Sequence, residues 1–367
     1  MKISSIARIG AIGAVAALAL TGCAANEAPA TEGSTSDSTS TLEGTLRATG
    51  ASSQGAAQEA WVAGFQTANT GVTVNYEPTG SGTGRENFLA GASDFIGSDR
   101  AFKLDEFTEG GFGMCSSDAI VEVPLYISPV AVAFNLEGID SLNLDAATIA
   151  GIFAGTITNW NDAAIAEQNE GVELPDLVIS PVHRSDDSGT TETFTTYLAA
   201  TAADVWTHEP DGEWPINGGE AAQGTSGVVQ AITAGNGAIG YADASQTAEL
   251  GQVHVGVDGE YVAYSADAAA ALVEASPLEE GRGAGDLVFA IDPAAAPAGS
   301  YPIALVSYLI ACEQYEDANT AALVKSYFEY MASEEGQQAA ADNAGSAPIS
   351  AGLRDKVLAA IDTIKVD

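Results

Sequence analysis

The residues best equipped for chemistry lie together in His183-Arg184-Ser185-Asp186-Asp187-Ser188-Gly189-Thr190-Thr191. A fixed positive charge, paired carboxylates, hydroxyl side chains and a glycine fall within a few positions. Phe194, Tyr197 and Leu198 follow at i, i+3, i+4, which predicts a helix beginning near Ser188. The first N–H groups of a helix have no internal partner, and the aligned peptide dipoles place partial positive charge there. Ser188, Gly189 and Thr190 at such a start, with Arg184 just upstream, outline a site for an anion. Ser and Asp are also common helix caps, so this stretch alone fits a plain capped helix beside a surface Arg–Asp pair. The carboxylates in it need a reason of their own.

Other strand–turn–helix units carry hydroxyls at the same place. Gly44–Gly50 reads as a strand, followed by Ala51-Ser52-Ser53-Gln54-Gly55 and then Ala57, Trp61 and Phe65 at helical spacing. Val72–Tyr76 alternates as a strand and leads to Thr79-Gly80-Ser81-Gly82-Thr83-Gly84, with a helical run through Phe88 and Leu89. Phe95–Ser98 is a short buried strand ending at Asp99. Val178–Val182 feeds the Arg184 loop, Gly224–Gly227 precedes a helical run through Val228, Val229 and Ile232, and Gly237–Tyr241 is another short strand. The glycine strings lack the G-x-G-x-x-G spacing of dinucleotide loops and the Lys-Ser/Thr of a P-loop. In an open α/β sheet such turns gather at the carboxyl ends of the strands, where ligands bind.

Long apolar runs organise the rest. Val121–Leu136, with Pro124 and Pro129 inside it, is too long for one ordinary strand and reads as a crossover between domains. Tyr301–Ile310 reads as the return crossover. A helix carrying Leu323, Val324, Tyr327, Phe328 and Met331 follows, and a helix with Leu353, Val357 and Ile361 closes the chain. The first lobe is then discontinuous, residues 44–127 and 302–367, with 128–301 inserted as the second lobe. A hinge of that kind lets the lobes close on a ligand.

The chain has 367 residues, 46% of them hydrophobic, so it can bury a sizeable core. Its formal net charge of −38 argues against nucleic acid as a partner, since phosphate backbones need a basic stripe. A small anion remains compatible, because charges are screened over roughly 8–10 Å and a site is read locally. The acidity itself suits solubility in a salty or mildly acidic exterior. The 3 histidines are scattered and match no ligand spacing, so neither a metal nor another cofactor is expected.

Residues 1–23 read as an export signal. Lys2 and Arg8 precede an apolar run, Ile9–Leu20, that is short for a bilayer span. The run ends in Leu20-Thr21-Gly22-Cys23, which resembles the lipobox of bacterial lipoproteins; Cys23 would carry a lipid anchor to the membrane. Residues 24–43, mostly Ala, Glu, Ser and Thr, read as a disordered tether. Cys115 and Cys312 remain, and in an exported chain a disulfide between them is expected.

Several segments together resemble the phosphate-binding lipoproteins (PstS type) of the bacterial high-affinity phosphate ABC importer. They are Thr49-Gly50-Ala51-Ser52, Val74-Asn75-Tyr76 with Gly80-Ser81-Gly82, Asp94–Asp99, Ile152-Phe153 with Asn159-Trp160, Arg184-x-Asp186-x-Ser188-Gly189-Thr190, and Gly237–Tyr241. The Arg-x-Asp-x-Ser-Gly-Thr string is the most specific. The resemblance implies an α/β, type II periplasmic-binding fold, each lobe a mixed sheet flanked by helices. It implies inorganic phosphate as ligand and ABC permease membrane subunits as partner. It also implies contacts: the Ser52 hydroxyl, the Ser53 backbone N–H, the Ser81 hydroxyl, Arg184, and the hydroxyl and N–H donors of Ser188, Gly189 and Thr190. Asp186 would hold the Arg184 guanidinium, and Asp99 would accept a proton from the ligand. The family often has Thr and Phe where Ser52 and Ser53 stand, and Gly where Asp187 stands.

The chemistry agrees. Phosphate near neutral pH keeps a proton that a buried carboxylate can accept as a hydrogen bond. Sulfate has none, and facing it the same carboxylate would be an unpaired buried charge costing on the order of several kcal/mol. Asp99 therefore works against sulfate or molybdate receptors as alternatives. An exported phosphatase would need a nucleophile with a base or a metal cluster; Ser188 has only His183 near it in sequence, without an orienting pattern. A phosphate sensor or surface protein on the same fold would have the same sequence features as a transport receptor.

Overall fold

The computed structural model describes residues 42–109 and 111–366. The export signal, Cys23 and all but the last residues of the tether lie outside them. Among the described residues no helix is long and apolar enough to cross a membrane.

The chain begins with β1 (Gly44–Gly50), α1 (Gly55–Ala68), β2 (Val72–Glu77), α2 (Ser81–Leu89), β3 (Phe95–Ser98) and α3 (Leu104–Glu109). Next come β4 (Ile120–Phe134), β5 (Ser141–Leu144), α4 (Ala146–Phe153), α5 (Ala163–Ala166), β6 (Ser180–Arg184) and α6 (Gly189–Thr201). Then follow β7 (Glu220–Ala222), α7 (Gly224–Ala234), β8 (Ala238–Asp243), β9 (Gly251–Val257), β10 (Glu260–Val262) and α8 (Ala266–Ala275). The chain returns through β11 (Ala304–Cys312), β12 (Gln314–Tyr315), α9 (Ala318–Ala332), α10 (Glu334–Ala344), α11 (Ala351–Ile361) and β13 (Lys365–Val366).

The strands form a curled mixed sheet in the order β2-β1-β3-β11-β4-β8-β6-β7, with β9 also on β4 and carrying β5 and β10. β1 pairs in parallel with β2 and β3, and β6 in parallel with β8 and β7, so each end of the sheet is built from strand–turn–helix units. β11 and β4 run antiparallel between them. The run expected to be too long for a single strand is one strand, the 15-residue β4, buried along its whole length. It serves the two halves in turn. Ile120–Pro129 pair with β11, and Val130–Phe134 pair with β8. The ladder between β11 and β4 shifts register at Ser307/Tyr308, leaving Leu125 unopposed between Pro124 and Tyr126. A bulge there accommodates the N–H that Pro124 lacks. The freed Leu125 carbonyl accepts from Gln337 Nε2 at 3.0 Å.

Apolar side chains on the inward faces of α1, α9 and α10 close the first half. Trp61, Phe65, Tyr327 and Phe328 are buried there, and the Trp61 indole donates to the Gly336 carbonyl at 2.7 Å. In the second half Phe194 and Trp214 stack on Tyr241, and Phe153 meets Phe194 and Trp214 edge-on. Cys115 and Cys312 are joined by a disulfide with Cα atoms 5.2 Å apart, tying the segment before β4 to the end of β11.

Candidate anion-binding site

Turns from both halves converge on one place. β6 ends at Arg184 rather than before it, so the guanidinium is launched from a strand with a buried backbone instead of from a loop. Arg184 is 3% exposed. Its Nε donates to Asp186 Oδ1 at 2.8 Å and its Nη2 to Oδ2, a bidentate pair that fixes the plane of the guanidinium and leaves Nη1 outside it. Asp186 is held in turn by the Gly224 N–H at 3.1 Å. This is the role expected for Asp186.

The helix start lies where the sequence put it. Ser188 is the N-cap of α6, accepting from the Thr191 N–H at 3.3 Å and keeping its own hydroxyl proton. Gly189 follows, and a Cβ there would lie 2.5 Å from the Asp99 Cβ. The glycine lets the α6 N-terminus come up against the turn after β3. Thr190 Oγ1 donates to Asp99 Oδ2 at 2.8 Å. A hydroxyl has one proton, so the Thr190 donor left for an anion is its backbone N–H rather than the side chain.

From the first half, Ser53 Oγ donates to Asp99 Oδ1 at 2.5 Å, so this residue presents a side chain as well as the expected N–H. Ser81 begins α2 and accepts from the Asp99 N–H at 3.1 Å, which keeps its proton available to a ligand. Ser52 Oγ sits 3.1 Å from Thr225 Oγ1 and accepts from the Thr225 N–H at 3.1 Å. Ser52, Ser53, Ser81, Asp99, Arg184, Asp186, Ser188, Gly189 and Thr190 are brought near one another by these contacts, and each is buried or nearly so.

Thr225 and Ser307 also belong to this constellation, and neither was assigned to it from sequence. Thr225 had a signal, because Gly224-Thr225-Ser226-Gly227 is another hydroxyl-rich helix start. Ser307 had none. It donates to Asp99 Oδ1 at 2.6 Å from within the apolar run of β11. Asp187 also gains a function. Its carbonyl accepts from the Gly82 N–H at 3.1 Å, and its carboxylate pairs with Arg85 at 3.1 Å, bridging the halves. Glu192 of α6 reaches Arg100 at 3.0 Å in the same way.

His183 does not serve Ser188. Its Nδ1 is 2.8 Å from the Arg184 carbonyl and its Nε2 3.1 Å from the Gly218 carbonyl, while the ring stacks on Trp214. Both nitrogens are thus spent on backbone. Among the described residues no group of His, Cys, Asp and Glu could hold a metal ion.

The sequence model of the PBP superfamily domain matches residues 31–335. Phosphate-binding protein PstS 3 of Mycobacterium leprae is 33% identical over 327 residues, covering 87% of each chain. The chain belongs to the PstS phosphate-binding protein family. PstS 3 of Mycobacterium tuberculosis is 34% identical over 327 residues, covering 87% of this chain and 86% of its own. Among solved structures, a high-affinity periplasmic phosphate-binding protein (PfluDING) bound with phosphate superposes with a TM-score of 0.67 at 24% identity, covering 86% of this chain and 93% of that one. The α/β fold is thus that of the PstS proteins.

Proposed function

We propose that the chain is an extracytoplasmic receptor that binds inorganic phosphate between its lobes and hands it to the membrane subunits of an ABC import permease. Residues 44–127 with 302–367 form one lobe and 128–301 the other. Cys23 carries the lipid that anchors the chain to the membrane, after removal of the preceding signal. The ligand is held by Ser52, Ser53, Ser81, Asp99, Arg184, Ser188, Gly189 and Thr190, with Asp186 fixing Arg184. No catalytic step is assigned, and His183 lies within hydrogen-bond distance of the Arg184 and Gly218 carbonyls.

One observation carries this reading. A carboxylate, Asp99, stands among hydrogen-bond donors, accepting from Ser53, Ser307 and Thr190 with the start of α6 against it. Arg184 and the helix start supply charge for any oxyanion. Asp99 admits one that brings its own proton.

Calorimetric titration of the purified chain, stripped of ligand, checks it. Tight phosphate binding with weak sulfate and molybdate binding is the expected result, and equal affinity for sulfate would move the function to another oxyanion. Anchoring is checked separately by Cys23→Ala, which is expected to release the protein from the membrane fraction; continued lipid labelling of that variant would rule out the lipobox.

A further inference from the structure

Ser307 is the inward end of a chain of side chains that runs from the core to Asp99. Its Oγ accepts from Gln54 Nε2 at 2.7 Å. The orientation of that amide is fixed, because Nε2 also stands 3.3 Å from the Tyr308 carbonyl, which can only accept. Gln54 Oε1 therefore faces Gln58 and accepts from its Nε2 at 3.0 Å. Gln58 Oε1 accepts from the Tyr327 hydroxyl at 3.0 Å. Every link thus has one direction, from Tyr327 through Gln58 and Gln54 to Ser307. With its oxygen taken by an amide, Ser307 sends its only proton to Asp99 Oδ1, 2.6 Å away. Gln54, Ser307 and Tyr327 are fully buried and Gln58 is 2% exposed. Burial pushes the Tyr327 phenol well above its ordinary range, so it stays a donor.

Ser307 also occupies a special place in the sheet. It lies where the β11–β4 ladder shifts register beside the unopposed Leu125. Bulges are common next to binding sites, where the added local twist re-aims a side chain. The price of this network is a row of polar groups inside the core, which a purely structural core would replace with apolar ones.

We propose that Ser307, oriented by Gln54, Gln58 and Tyr327, is a specificity-setting positioning residue of the anion site. With Ser53 it holds Asp99 Oδ1 as an acceptor, and so directs the ligand to Oδ2, which accepts from Thr190 and has a second lone pair. Held in this way, the carboxylate accepts a hydrogen bond from a protonated oxyanion and offers none to an unprotonated one. The inference rests on the phosphate reading above.

Ser307 shares this task with other hydroxyls: Ser53, in the turn before α1, donates to the same oxygen at 2.5 Å, and Thr190 of α6 donates to Oδ2 at 2.8 Å. From α2, Ser81 accepts from the Asp99 backbone. From β2, the Tyr76 phenol, pushed up by burial and then by the Asp99 charge, donates to the Ala51 carbonyl. The cations of the neighbouring segments are paired elsewhere: Arg184 with Asp186, Arg85 with Asp187, and Arg100 with Glu106 and Glu192.

The test measures phosphate and sulfate affinity of the full chain by calorimetry at neutral pH, for the parent, Ser307→Ala and Ser307→Thr, with a thermal melt of each. In Ser307→Ala the phosphate-over-sulfate ratio is expected to fall about tenfold, as for loss of a hydrogen bond to a charged group, and in Ser307→Thr, which keeps the hydroxyl, to stay near the parent's. An unchanged ratio in Ser307→Ala, in a variant that melts cooperatively, overturns the proposal. Gln54→Met keeps the bulk and removes the donor; it is expected to move the ratio the same way by less, and it carries the test if Ser307→Ala does not fold. A parent chain that binds no phosphate would remove the phosphate reading itself, whereas tight, selective parent binding with an indifferent Ser307→Ala would remove only this inference.

Discussion

Buried arginines of similar exposure stand in different parts of this molecule and are treated in opposite ways. Arg282 is spent entirely on the protein. Its Nε donates to Glu279 at 2.6 Å, its Nη1 to Glu122 at 3.3 Å and Asp286 at 3.1 Å, and its Nη2 to the Phe102 carbonyl at 3.0 Å. Glu122 is wholly buried and shifted well upward by burial and by its neighbour Asp286, which is also shifted upward. Arg184 instead gives one carboxylate its Nε and Nη2 and keeps Nη1 outside that pair. Around Arg282 every guanidinium nitrogen is engaged and the atom left over is an acceptor, Asp286 Oδ1, whereas around Arg184 Ser81, Ser188 and the α6 start retain donors. A buried arginine with all its nitrogens engaged holds a fold together; one with donors in reserve, beside others in reserve, can hold a ligand, the role proposed for Arg184.

The contrast is broken most strongly at Arg282. Arg282→Ala is expected to cost about 3–5 kcal/mol of stability, because removing one partner strands buried carboxylates. Phosphate affinity of the folded fraction is expected to stay close to the parent's. A melt paired with calorimetry checks both. Arg184→Ala is expected to show the reverse emphasis: affinity reduced about tenfold or more, from loss of charge-assisted hydrogen bonds of about 1.5–3 kcal/mol, with a smaller change in the melt. Near-parent binding would take the ligand away from this turn.

Smaller effects sharpen the comparison. Asp187→Gly removes the partner of Arg85 across the cleft; with Asp187 partly exposed, the pair is worth at most about 1 kcal/mol, and affinity should fall a few-fold. Unchanged phosphate affinity would show that this bridge does not help the lobes close. The smallest effect concerns a buried carboxylate without an arginine. Asp243 accepts from Tyr126 at 2.9 Å and is pushed up to about 6 by burial. The folded chain therefore binds its proton more tightly than the unfolded chain. This contribution to stability is fully present below the unfolded value, near 4, and is lost as pH rises through about 6. Asp243→Asn is expected to flatten stability over that window, as read from denaturant midpoints at several pH values, and a slope equal to the parent's would contradict the assignment.

The parts legible in sequence were those whose meaning is local. A glycine and a hydroxyl before a helical run define a helix start, so the turns at Ser52, Ser81 and Ser188 could be read in place. Arg184 and Asp186 are two residues apart, and their pairing was implied by the family resemblance of this string. Ser307 was not legible. It is one hydroxyl in a strand buried on both faces, where alternation gives no signal, and its partner Asp99 lies 208 residues away. Glu122 is hidden likewise in the apolar β4, and its partner Arg282 comes 160 residues later. The length of β4 misled for a related reason. A strand shared by two lobes can be twice as long as either needs, and hydrophobicity alone does not show where one ladder ends and the next begins.

The measurement that bears most directly on the anion site is the phosphate-over-sulfate affinity ratio of the parent chain beside that of Asp99→Asn, by calorimetry at neutral pH. The account predicts a large ratio in the parent and its collapse in the variant, since an amide can donate to sulfate where a carboxylate cannot. A parent that binds sulfate as well as phosphate, or a variant that discriminates as sharply as the parent, would contradict it.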